Sequence, residues 1–338
     1  MTQNNTPPHD PGSTDTIRSG KKIMPATLAN YHLACKYLLQ GKLVSFPTET
    51  VYGLGADATN DTAVAGIFEA KQRPSFNPLI IHLPSLAAAE EYVEFDMISR
   101  KLAAAFWPGP FTLVLKKKPN CRLSPLVSAG LDTVAVRVPQ HPIAQELLQY
   151  FKYPIAAPSA NISGKLSPTR PEHVARDLSS QVAMILDGAA CQDGLESTIV
   201  QVVGSGIRLL RPGTVTAQEI ERLTGLGVAQ FEDGQNPTAP GQLKSHYAPN
   251  AKIRLNANDI FPGEALLAFG SLYPKDAKII RNLSPKGILR EAAANLFSML
   301  HDLDETGCKT IAVSPIPNKG LGLAINDRLN RAATPSDE

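Results

Sequence analysis

Lys71, Arg73, Ser75 and Asn77 occupy alternate positions of Lys71-Gln-Arg-Pro-Ser-Phe-Asn-Pro78. Pro74 and Pro78 bias the residues before them, Arg73 and Asn77, away from helical geometry, so the segment is expected to be extended and exposed, with these four side chains on one face. Two cations followed by two neutral hydrogen-bonding groups suit a phosphate and a ribose. Ser159 and Asn161 share a face in the same way, just after Pro158, at a strand end where loops commonly carry ligands. Glu196-Ser197-Thr198 opens another strand, Thr133 and Arg137 fall on one face of a third, and Arg211-Pro212-Gly213 ends a fourth. Each pattern alone also suits a bland loop: a solvated Lys-Arg pair, a Ser or Asx turn, an Arg before turn punctuation.

Several other chemistries are excluded. Gly53-Leu-Gly-Ala-Asp-Ala58 fits the relaxed dinucleotide fingerprint, but that motif must follow its strand directly, whereas Pro47 to Tyr52 intervene after Phe46. There is no Walker A sequence, no GxSxG elbow and no Cys-His signature. The seven histidines lack metal-ligand spacing, so no dedicated metal cage is expected. Positioning and charge stabilisation remain.

The elements that must hold these residues alternate along the chain. A helix is predicted from Thr27, its N-cap, to a stop at Gly41, with Leu28, Tyr31, Cys35, Leu38 and Leu39 on one stripe. Strand-like runs follow at Leu43 to Phe46, Leu79 to Leu83, Phe111 to Leu115, Thr133 to Val138, Ile155 to Ala157, Met184 to Leu186 and Thr198 to Val203. A further run, Ile207 to Leu210, follows across a Gly-Ser-Gly turn with no helix between, which predicts a mixed sheet. A helix is expected near Thr216 to Leu223. Residues 225–250 show no period and read as a linker. Ala265 to Phe269, a helix from about Pro285 to Leu303 and Thr310 to Val313 then predict a small parallel α/β unit over 251–333. The first unit spans 25–224, and residues 1–24, polar and without an apolar run, read as a disordered tail rather than a signal peptide.

Composition agrees with two globular α/β units. The 338 residues exceed one typical core, and no run approaches the ~20 apolar residues of a membrane span. Lys and Arg total 33 against 31 Asp and Glu, so no global basic field is present and an anionic partner must be held locally. Cys35, Cys121, Cys191 and Cys308 form no CxxC pair, which fits a reducing cytoplasm.

Phe46-Pro-Thr-Glu-Thr-Val-Tyr-Gly-Leu-Gly55, Lys71-Gln-Arg73, Pro78-Leu-Ile-Ile-His82, Trp107-Pro-Gly-Pro110, Pro158-Ser-Ala-Asn161 and Arg211-Pro-Gly213 together resemble the YrdC-like threonylcarbamoyl-AMP synthase family. His246-Tyr-Ala-Pro249 and Gly320-Leu-Gly-Leu-Ala-Ile-Asn-Asp-Arg328 resemble the linker and last helix of its longer members. The resemblance implies a twisted mixed-sheet domain with a cationic cleft, then a smaller Rossmann-like domain, the linker covering the cleft. It implies ATP contacts at Lys71, Ser75, Thr133, Asn161, Ser167, Arg211 and Tyr247. It implies L-threonine contacts at Thr48, His82, Arg137, Ser159 and Ser197, although His82 also reads as a satisfied strand histidine. Lys71 and Arg73 take the catalytic role, neutralising charge as pyrophosphate leaves.

The implied reaction joins ATP, L-threonine and bicarbonate, with Mg2+ arriving on the nucleotide. The product would pass to the tRNA threonylcarbamoyl transferase machinery, with room for a weak tRNA contact and no membrane association. Two rival readings remain: an RNA-binding module with a cationic cleft, and carbamoyl transfer from carbamoyl phosphate. Against the second, the acylphosphatase and zinc-finger segments of hydrogenase-maturation carbamoyltransferases are absent here.

Overall fold

The computed structural model describes residues 22–230, 240 and 246–334. The tail expected over 1–24 lies outside the described residues up to residue 21, as does most of the 225–250 linker. Two corrections fall at these edges. Ile23–Pro25 is a strand, β1, and Val228–Gln230 is another, β11. Three-residue edge strands leave little periodicity to read, because their main-chain ladder rather than an apolar face holds them.

In chain order the first domain runs β1, α1 (Leu28–Leu39), β2 (Val44–Phe46), β3 (Gly53–Asp57), α2 (Asp61–Lys71), β4 (Ile80–His82), α3 (Leu86–Ala89), α4 (Met97–Phe106) and β5 (Phe111–Lys116). It continues with β6 (Thr133–Arg137), α5 (Pro142–Phe151), β7 (Ile155–Ala156), α6 (Pro171–Leu178), β8 (Met184–Asp187), β9 (Thr198–Val203), β10 (Gly206–Arg211), α7 (Ala217–Thr224) and β11. These strands form one 11-stranded sheet in the order β1-β8-β2-β3-β7-β4-β6-β5-β9-β10-β11. It is mixed: β4 lies parallel to β6, and β5 parallel to β9, while β7 and β10 run antiparallel to their neighbours β4 and β9. The expected boundaries hold to within a residue or two for most strands, and for Thr198–Val203 to the residue.

Local chemistry sets the helix ends. Thr27 caps α1 by accepting from Asn30 N, and Asn60 caps α2 by accepting from Ala63 N. α1 buries Tyr31, Ala34 and Leu38 in one core with Leu147, Leu148 and Phe151 of α5. The rejected dinucleotide glycines are strand residues. A Cβ at Gly55 would stand 2.8 Å from the Phe46 ring and 2.9 Å from Ile155, so β3 admits only glycine where it crosses β2 and β7.

The second domain contains β12 (Lys252–Arg254), β13 (Ala265–Ala268), β14 (Ile280–Asn282), α8 (Leu289–Asp304), β15 (Thr310–Val313) and α9 (Leu321–Ala333). Its four strands are all parallel, in the order β12-β15-β13-β14. β12 and β14 carry no run above three residues and were not foreseen. The core of this domain is shared: Val51, Leu166 and Leu195 of the first domain pack with Leu296, Phe297 and Leu300 of α8. Each such burial contributes about 1.5–3 kcal/mol, enough to fix one domain on the other. Gly194 permits the approach, since a Cβ there would meet the Ala294 carbonyl oxygen at 2.2 Å.

Candidate active site

Lys71 is not part of an extended, exposed strand. It is the last residue of α2, and Gln72 turns the chain through a left-handed conformation (φ 52°). The helix persists up to Lys71 because Pro74 restricts only the residue before it. Lys71 and Arg73 are both buried, at 1% and 7% exposure, whereas Ser75 is exposed. The alternate-face pattern therefore fails for Ser75, while the two cations still converge.

Lys71 Nζ donates to the backbone carbonyls of Ser159 (2.7 Å) and Asn161. Arg73 is held by the carbonyls of Asn77 (3.2 Å) and Pro78 (2.8 Å). Arg211 Nε donates to the Ser197 carbonyl, and its Nη2 to Ser197 Oγ at 3.0 Å. Arg-Pro-Gly is more than turn punctuation here. A Cβ at Gly213 would meet Thr198 N at 2.4 Å and the Glu196 carbonyl oxygen at 2.6 Å, so glycine lets the end of β10 press Arg211 against the start of β9.

Among the described residues, Lys71, Arg73 and Arg211 have no carboxylate within the 4.0 Å of an ion pair. Burial, and then Arg73, hold the Lys71 ammonium well below the usual lysine range, and burial brings Arg73 down to about 10. Buried cations held only by carbonyl dipoles are costly unless an anion joins them. The fourth cation is different: Arg137 pairs with Glu49 at 2.7 Å and donates to Thr50 Oγ1. Its place is fixed by the Trp107-Pro-Gly-Pro110 turn, whose Gly109 N donates to the Val138 carbonyl and whose Gly109 carbonyl accepts from Arg137 Nε.

Arg73, His82, Arg137, Ser159, Arg211 and Tyr247 line one hollow, together with Glu196 and His246. Lys71, Asn161, Ser167 and Ser197 stand directly behind it, Ser167 donating to Glu196 at 2.5 Å. The Thr48 hydroxyl is spent in its own loop, donating to the Val51 carbonyl and accepting from the Thr50 and Val51 amides. Thr133 stands at the opposite end of β6 from Arg137, about 13 Å along the strand, outside the hollow. Among the described residues, His82 Nδ1, Asn161 Oδ1, His246 Nδ1 and both side-chain polar atoms of Asn77 are buried with no hydrogen-bond partner. Such orphans cost about 1–3 kcal/mol each and cluster where a ligand would pair them.

Glu49, Glu196 and His246 received no site role from sequence. Glu49 and Arg137 are 88 positions apart, so no local spacing could pair them.

The hollow encloses only about 40 Å³, room for one or two waters and far below the ~300 Å³ of an ordinary ligand pocket. Its roof is His246-Tyr247. Tyr247 sits at φ 64°, a conformation costly for a bulky residue, with its ring against Phe297 of α8 at 5.4 Å. With the roof in this position the hollow has no room for anything much larger than water.

Four histidines make the fold sensitive to acid. Burial holds His82 and His246 down to about 3, and His301, on α8 between the domains, down to about 4. His173, whose ring lies 3.9 Å from that of His301, is likewise brought to about 2. Each stays neutral in the fold but takes a proton in the unfolded chain below about 6.5. The unfolded state therefore binds more protons below that pH, and stability falls as pH drops. Asp193, pushed up to about 6 by burial, offsets one proton. Thermal melts should show stability lost by a few kcal/mol per unit between pH 6.5 and 5. A melting temperature constant across that range would contradict the burial of these rings.

A mixed-sheet domain with an arginine-lined hollow, roofed by a segment packed on a parallel-sheet domain, defines a two-domain α/β protein. Residues 36–213 match the Sua5/YciO/YrdC family model, described as telomere recombination, and residues 215–334 match the threonylcarbamoyl-AMP synthase C-terminal domain. The threonylcarbamoyl-AMP synthase of Bacillus subtilis strain 168 is 39% identical over 318 residues, covering 89% of this chain and 92% of that one. The synthase of Pyrococcus abyssi is 41% identical over 322 residues, covering 89% and 93%. The crystal structure of P. abyssi Sua5 complexed with L-threonine has a TM-score of 0.85 at 38% identity, covering 92% of this chain and 97% of that one. The chain belongs to the threonylcarbamoyl-AMP synthase family, in its two-domain form. It is accordingly an enzyme, a nucleotidyltransferase that forms threonylcarbamoyl-AMP. Among the described residues, no helix is long and apolar enough to cross a membrane.

Proposed function

We propose that this enzyme condenses ATP, L-threonine and bicarbonate in the hollow, releasing pyrophosphate. One observation carries the assignment: among the described residues, Lys71, Arg73 and Arg211 are buried cations without carboxylate partners, Arg73 and Arg211 lining one hollow and Lys71 standing behind it. A triphosphate supplies the missing negative charge. In this reading ATP is contacted by Lys71, Asn161, Ser167, Arg211 and Tyr247, while Ser75 and Thr133 meet the part of the nucleotide that extends beyond the hollow. L-threonine is held by His82, Arg137, Ser159 and Ser197, with Thr48 shaping the loop beside them. The amino acid carboxylate joins the free N–H groups of the Arg137 fork, which Glu49 orients.

Bicarbonate gives CO2 and hydroxide; the unprotonated threonine amine adds to the CO2 carbon, and the proton lost from its nitrogen combines with that hydroxide, so a carbamate and water result. A carbamate oxygen attacks the α-phosphorus, the bond to the bridging oxygen breaks, and pyrophosphate leaves with its charge spread onto Lys71, Arg73 and Arg211. Exclusion of water by the roof strengthens each of these contacts. Magnesium would enter as part of MgATP and would neutralise phosphate charge there; Glu196 in the hollow and Glu49 beside it are engaged by arginines. The compartment proposed is the cytoplasm, where the labile product passes to the tRNA threonylcarbamoyl transferase machinery.

Pyrophosphate release that requires ATP, threonine and bicarbonate together supports this function. Release independent of threonine would contradict it, as would salt-sensitive RNA binding with no turnover. Tyr247→Ala, which removes the roof, is expected to raise the KM for ATP about tenfold and to change that for threonine much less. An unchanged KM for ATP would remove Tyr247 from the nucleotide side.

A further inference from the structure

The apolar stripe of α9, with Leu321, Ala324, Ile325, Leu329 and Ala332, is interrupted by one arginine. Arg328 heads the largest fully buried side chains of the described structure, at 1% exposure, and it crosses from the second domain into the first. Its guanidinium is engaged on every edge. Nε donates to Glu196 Oε2 at 2.9 Å, Nη2 to the Pro212 carbonyl at 2.8 Å and Nη1 to the adjacent Asp327 at 2.5 Å. Its Cζ lies over the Tyr247 ring, 5.3 Å from the ring centre and within cation–π range.

Each partner outside α9 belongs to the proposed nucleotide side of the hollow. Glu196 lines it and accepts from Ser167 Oγ, Pro212 adjoins Arg211, and Tyr247 is the roof. Burial alone would raise the Glu196 pKa, yet Arg328 and Arg211 bring it down to about 2, so it remains an acceptor that fixes the Ser167 hydroxyl. Fold stability alone does not call for an arginine here, because buried ion pairs can often be replaced by apolar residues of similar volume at no loss. An apolar residue could not hold a carboxylate, a carbonyl and a ring in fixed relation.

We infer that Arg328 is a positioning residue through which the second domain sets the nucleotide side of the active site, aligning Glu196 with Ser167 and seating Tyr247 over the hollow. The inference rests on the reaction proposed above. It gives the second domain a defined part in that reaction: α9 closes the site from behind and α8 supports the roof.

The test compares wild type with Arg328→Met, Arg328→Lys, Glu196→Gln and Glu196→Gln/Arg328→Met, reading MgATP affinity by calorimetry, turnover, threonine KM and thermal stability. Arg328→Met should weaken MgATP binding on the order of tenfold, with the threonine KM shifted much less. Arg328→Lys keeps a charge but not the fork, so it should restore part of that loss and guard against misfolding of the methionine variant. The double variant should be no weaker than the worse single one, because both act through one contact. Variants that lose thermal stability but keep MgATP affinity would overturn the inference, as would equal losses for both substrates or additive losses in the double variant. A wild type that binds MgATP but makes no adenylate contradicts the proposed reaction, whereas the affinity series still decides the role of Arg328.

Discussion

Lys71→Met should lower adenylate formation about 10³-fold while leaving the melting temperature unchanged or raised. Removing one preorganised charged donor from a water-excluded site typically costs 10²–10³ in turnover, and Lys71 is buried beside Arg73 with only carbonyl oxygens as partners among the described residues. Its folded-state environment disfavours the charge, so an apolar residue of similar length relieves the fold as it disables the chemistry. Arg73→Met should behave in the same way. Turnover within about tenfold of wild type would show that neither cation meets the leaving phosphates, and a large fall in stability would show that their role is structural.

Arg137→Leu should produce the opposite balance. It strips the proposed threonine carboxylate of its fork and leaves Glu49, at 1% exposure, buried without a countercharge. The threonine KM should rise about 100-fold. Stability should drop by about 3–5 kcal/mol, on the order of 10 °C for a chain of this size. Adding Glu49→Leu should return most of the stability and none of the threonine affinity. A double variant as unstable as the single one would mean that the Glu49–Arg137 pair is not the source of the loss.

These two sites also show what was legible in the sequence. Long apolar runs such as Phe111–Lys116 and Thr198–Val203 announced themselves because a buried strand needs an unbroken apolar stretch. The edge strands β1, β11, β12 and β14 did not, having three residues each and no face to pattern. The cations of the hollow were legible by motif, but their setting was not. Alternation placed Lys71 and Arg73 on an exposed extended segment, whereas a helix end and a single left-handed residue bury both.

The carboxylates escaped for a different reason. Glu49 meets Arg137 across 88 positions and Glu196 meets Arg328 across 132, and only the folded sheet and the docked second domain bring them together. One signal was available. Arg328 sits on the apolar stripe of its helix between Ile325 and Leu329, where a charged residue demands a buried partner.

In the proposed reaction one hollow gathers a triphosphate and the carbamate of threonine, so that carbamate oxygen meets α-phosphorus. Incubation with 13C-bicarbonate, MgATP and L-threonine, followed by mass spectrometry of the nucleotide products, tests this directly. The label should appear in threonylcarbamoyl-AMP, in step with the pyrophosphate released. An unlabelled adenylate of threonine itself, or AMP formed without threonine, would contradict it.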